Sequence, residues 1–120
     1  MDVAEILDKA AEVIETNGWY QGDYFEEIDG KDPKDCPVCA MGAVSMAVFD
    51  RPFPYFLGAE YRDFLRARDV LADSLEAECN WRGVPRWNDA EGRTVDEVVS
   101  ALREAAEKYR NAEKAPAEQS

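Results

Sequence analysis

At 120 residues the chain has the length of one ordinary domain, enough to bury a core without help from disulfides or metal. Fourteen basic against twenty-six acidic residues leave a net charge of −12. Such a surface repels phosphate backbones and anionic lipid headgroups and attracts basic protein surfaces, besides keeping a small protein soluble. Residues 1–35 hold eleven acids and three lysines, a net of −8, so most of the excess lies in the first third. The longest apolar run, 38–49, falls well short of the roughly twenty residues that a membrane-spanning helix needs. The start Met1-Asp2-Val3-Ala4-Glu5 is acidic where a secretory signal is basic. Three cysteines and no export signal lead to an expected reducing cytoplasm with free thiols.

Taken in chain order, Val3, Ile6, Leu7, Ala10, Val13 and Ile14 recur at helical spacing, with Asp2 and Glu5 set as a cap and its return partner. The first helix is expected over about 3–16 and closes at Asn17-Gly18, with Trp19 folding back onto its last turn. A long aromatic-containing loop with at most one helical turn follows, from Tyr20 to Asp35. Asp35-Cys36-Pro37 then offers a cap with proline near the first helical position, and Val38–Phe49 reads as a helix apolar all round, hence a buried central one. Arg51-Pro52-Phe53-Pro54 cannot continue it. A third helix is expected over 59–79, with Tyr61, Phe64, Leu65, Leu71, Leu75 and Cys79 on one stripe. Asn80–Arg93 is too polar and too rich in turn formers to be a helix. Thr94 and Glu97 have capping-box spacing, and Val95, Val98, Val99, Leu102, Ala106 and Tyr109 continue as an amphipathic helix. The expectation is a single all-α domain over 1–110, a compact bundle of about four helices, with a mobile tail over 111–120.

Cys36-Pro37-Val38-Cys39 at a helix start is the most suggestive motif, because a helix N-terminus favours the thiolate. Thioredoxin-like domains place that motif after a strand, and no β-rich run precedes Cys36. Cys36, Cys39 and Cys79 would give zinc three ligands and leave the fourth to a carboxylate or water, since the chain has no histidine. Plain packing of the sulfurs competes with both readings. The lack of histidine also removes the usual base of a nucleophilic triad. Carboxylate pairs such as Glu26-Glu27 or Asp89 with Glu91 look like solvated charges, and no glycine-rich phosphate loop is present.

Asn80–Arg93 breaks the acidic trend with three arginines and two tryptophans. Trp81, Arg82, Arg86 and Trp87 form a candidate contact patch of the residue types that carry interface energy. The competing reading seats Trp87 in the core, with Asn88 and Asp89 bonding the loop's own backbone.

The Gly18-Trp19 helix end, the Cys39-Ala40-Met41-Gly42-Ala43 stretch, and above all Pro85-Arg86-Trp87-Asn88-Asp89 followed by Gly92-Arg93-Thr94 give a pattern over about residues 3–107. It resembles a domain-of-unknown-function family of small actinobacterial and actinophage proteins. The resemblance implies such an origin and carries over no activity, cofactor or catalytic residue. Cys36 and the Phe53-Pro54-Tyr55-Phe56 connector have no counterpart in it.

These readings lead to a non-enzymatic module that binds another protein, with no cofactor, no direct nucleic-acid contact and no membrane, and with self-association left open. The alternatives are a thiol redox or metal-binding protein using the Cys-Pro-Val-Cys motif, and an acidic mimic of nucleic acid.

Overall fold

The computed structural model describes residues 1–78, 80 and 82–114. Cys79, Trp81 and the tail from 115 onward, three expectations of the sequence reading, lie outside the described residues. The chain is all-α: α1 (Val3–Asn17), α2 (Ala40–Phe49), α3 (Gly58–Ser74), the short α4 (Gly83–Asn88) and α5 (Val95–Lys114), with a 3-10 turn at Pro33–Asp35. No helix among the described residues is long and apolar enough to cross a membrane.

The amphipathic face of α1 buries Val3, Ala4, Ile6, Leu7, Ala10, Ala11 and Ile14. Asp2 makes no side-chain cap hydrogen bond, contrary to the expected capping box. The first turn is closed instead by its carbonyl, which accepts from the Ile6 amide at 3.0 Å. At the last helix the capping box forms as the spacing predicts: Thr94 N donates to Glu97 Oε1 at 2.9 Å and Glu97 N to Thr94 Oγ1 at 3.2 Å. The last helix runs to Lys114, past the Arg110 at which the apolar pattern stops.

Every residue of α2 from Ala40 to Ala47 is buried, as its composition requires, but the helix starts two residues later than expected. The reason lies in the backbone of Val38. Its amide donates to Gly18 O and its carbonyl accepts from Tyr20 N, while the flanking Pro37 O and Cys39 N pair with Glu26 N and Tyr24 O. Val38 is thereby held extended between two passes of the preceding loop, and Cys39 becomes the N-cap. The Trp19 backbone accordingly bridges to Val38, with its side chain packed against the core.

Helix α3 stops at Ser74, five residues short of expectation. Leu75 ends it and Glu76 takes a left-handed conformation (φ 56°), which lets Ala77 N return to Ala72 O at 2.8 Å. This is the geometry of a glycine-type stop without the glycine, so no residue announces it. The 80–93 segment does contain a helix, α4, against expectation. Asn80 Oδ1 accepts from the amides of Arg82 and Gly83 at 2.8 and 3.0 Å, and Pro85 falls in the first turn, where a missing amide hydrogen costs nothing.

Packing also differs from a bundle centred on α2 alone. α5 packs on α1 and α3, whereas α2 is covered by α1, α3, α4 and the 18–39 segment. α1 and α3 thus each touch the three other long helices, α1 most extensively through α5 and α2. Two ion pairs bind it to α5: Glu15 with Arg103, bidentate at 3.0 and 2.6 Å, and Asp8 with Arg110 at 2.7 Å. Part of the negative excess of the first third thus faces bases of the last helix.

Candidate functional site

The polar centre of the molecule is Asn88, the last residue of α4 and wholly buried. Its Oδ1 accepts from Trp19 Nε1 at 2.8 Å and from Ala40 N, at the start of α2, at 3.0 Å. Its Nδ2 donates to Tyr20 O and to Asp89 Oδ1. Asp89 Oδ1 also accepts from Gly22 N at 3.0 Å, and Gln21 Nε2 donates to the carbonyls of Asn88 and Ala90. Asn88 and Asp89 therefore bond the 19–22 segment and α2, not their own loop as the sequence suggested. The partners in the 19–22 segment lie almost seventy residues away in the chain and Ala40 lies 48 away, separations no local pattern reveals.

This network sets α4 beside residues 22–24 and leaves between them a cleft of about 510 Å³. Two arginines, Arg82 and Arg86, stand on the α4 side. Asp23 and Tyr24 form the opposite side, and Cys39 with Met41 forms an apolar floor. Gly42 lets the Tyr24 wall close on α2 beneath it: a Cβ there would lie 2.1 Å from Tyr24 O. Gly83 does the same behind α4, where a Cβ would come within 1.7 Å of Glu78 O.

Of the contact patch read from sequence, Arg82 and Arg86 are exposed at this cleft. Trp87 is half-buried against the core and carries Arg93 over its ring at 4.1 Å, with Arg93 Nε bonding Trp87 O, so it serves packing. Trp81 lies outside the described residues. Asp23, Tyr24 and Met41 were not singled out as site residues, because nothing local joins them to α4, and Asp89, which ends α4, was read only as a solvated or loop-bonding charge.

The two described cysteines are buried and free. Cys36 precedes α2 by four residues, closes the C-terminal end of the 3-10 turn and donates to Asp32 O at 3.5 Å, so it does not sit at a helix start as the motif suggested. Cys39 Sγ accepts from Gly42 N at 3.3 Å as the cap of α2. Burial pushes its thiol up to about 11, outweighing the backbone amides of Gly42 and Met41, which act the other way. That is the reverse of an activated nucleophile. Among the described residues no group of cysteines and carboxylates has the arrangement to hold a metal. Cys79, the third member of the metal reading, lies outside them.

A second surface draws notice because it is apolar. In the connector before α3, Tyr55, Phe56 and Leu57 are 54, 68 and 83% exposed. The connector is stiff: the Arg51 guanidinium lies between the rings of Phe53 and Tyr55, at 3.8 and 3.7 Å, and its Nε donates to Phe53 O. Phe25 stacks on Phe53 at 6.0 Å between centroids, and Tyr61 meets Phe56 at a tilt at 5.5 Å. Exposed acids stand along the chain on either side: Glu26 and Glu27 after Phe25, Asp50 before Arg51, and Glu60 in the first turn of α3.

Fold and site together define a small all-α domain whose polar machinery sits in its loops and in one short helix. The chain belongs to DUF6197, a family of unknown function, whose model matches residues 1–108. No curated protein and no solved structure matches the chain.

Proposed function

We propose that the protein is a non-enzymatic interaction module that docks a partner protein on Tyr55, Phe56 and Leu57. The observation that carries this reading is the exposure of three consecutive large apolar side chains on a braced connector. Leaving such residues in water is unfavourable, whereas covering one fully gives about 1.5–3 kcal/mol. The partner is a basic protein with an apolar contact at its centre, because exposed Asp50 and Glu60 flank the connector in sequence and exposed Glu26 and Glu27 follow Phe25, which stacks on it, on a chain of net charge −12. The raised thiol of Cys39 agrees with a binding role rather than a redox one, and two free buried thiols suit a reducing cytoplasm.

The test compares the intact chain with a Phe56→Ser, Leu57→Ser variant as baits in lysate of the source cells, at low and high salt. A basic partner captured by the wild type, released by salt and lost with the double variant is the expected result. Capture that ignores the two substitutions, or no patch-dependent partner at all, overturns the reading.

A further inference from the structure

The cleft beside α4 is made of other residues and is independent of that docking surface. Its charges come in equal numbers of opposite sign: guanidinium groups of Arg82 and Arg86 one helical turn apart, and carboxylates of Asp23 and Asp89. Both carboxylates line the cleft together with Cys39 and Met41. A plain anion would meet these two acids as well as the field of a chain at −12, and a plain cation would meet the two arginines. A molecule bearing one charge of each sign answers both.

We propose that the cleft binds a small zwitterion with an apolar body, of the α-amino-acid class. Its carboxylate faces Arg82 and Arg86, its ammonium faces Asp23 and Asp89, and its side chain rests on Met41 and Tyr24. The size fits, since pockets for small ligands run from about 300 to 1,000 Å³. The polar groups are already in place, because the Asn88 network holds both walls before any ligand arrives. The start of α2 offers no competing anion site: the Ala40 amide is taken by Asn88 and the Gly42 amide by Cys39. On Asp89, Oδ1 is occupied by Gly22 N and Asn88 Nδ2, so Oδ2 is the oxygen that meets the ammonium.

The experiment is a titration of the ¹⁵N-labelled full chain with L-phenylalanine and L-leucine, followed residue by residue in amide spectra. Two analogues that each lack one charge, 3-phenylpropionate and 2-phenylethylamine, run alongside. Saturable shifts at Gly22, Tyr24, Arg86 and Asp89 with at least one of the amino acids are expected. Each analogue, and each of the variants Arg86→Gln and Asp23→Asn, should bind about tenfold more weakly or worse. Arg86 and Asp23 are exposed, and unchanged α1 and α5 resonances verify that the variants fold. No saturable shift from either amino acid up to about 10 mM overturns the proposal. So does an analogue binding as well as its parent, or a variant binding as well as the wild type.

Discussion

The indole of Trp19 and the side chain of Asn88 meet at 2.8 Å inside the molecule, and the same Asn88 oxygen takes the first amide of α2. One carboxamide thus joins the end of α1, the start of α2 and α4. Asn88→Ala leaves the Trp19 and Ala40 donors buried without partners, each worth about 1–3 kcal/mol. The expected loss is about 3 kcal/mol, read as a fall of about 10 °C in the melting temperature. Asn88→Asp keeps the acceptor but sets a buried charge beside Asp89, and should be no more stable than the alanine variant.

Gly42→Ala should destabilise by about 2 kcal/mol or more, although alanine is the better helix former by about 1 kcal/mol. The new methyl would strike Tyr24 O, a backbone atom that cannot turn aside. Urea denaturation decides it, and an unchanged midpoint would show that Tyr24 does not press on α2.

Ser45 is wholly buried in α2, and its hydroxyl has no hydrogen-bond partner among the described residues. Ser45→Ala removes that group at little change in shape and should stabilise the fold by about 1 kcal/mol. A lower melting temperature would mean that the hydroxyl is satisfied after all.

Cys39 should resist iodoacetamide at pH 8, reacting about a hundredfold more slowly in the native protein than in urea, and gaining speed only as the pH approaches 11. Residue-resolved mass spectrometry reads the rate. Prompt modification of the native protein would show an accessible, ionised thiol and reopen redox chemistry.

The Glu15 carboxyl is held below its ordinary range by its hydrogen bonds to Arg103. A depressed folded-state value gives stability that is present above the ordinary glutamate range and lost as the pH falls through the folded-state value. Both groups are exposed, so the effect is small. Glu15→Gln should melt slightly below the wild type at pH 7 and together with it near pH 2. A gap unchanged between the two would remove the ion pair as its cause.

The four long helices were legible because their apolar spacing is local: α1 and α5 follow the stripes read from sequence, and α2 is as buried as its composition demands. What escaped was set by distant partners. Val38 is drawn out of α2 by Gly18 and Tyr20, and Glu76 takes a turn that its residue type does not advertise. The candidate cleft was half legible, with Arg82 and Arg86 singled out by their charge. Its other wall and its floor depend on the pairing of Asn88 and Asp89 with residues 19–22, which only the folded chain displays.

Because α2, α3 and α5 all pack on α1, its apolar face is fully covered only when the most distant of them along the chain has docked. A nascent chain that has not yet delivered residues 95–114 bares part of that apolar face. Arrival of α5, rather than speed of helix formation, then closes the surface on which a partly made chain would aggregate.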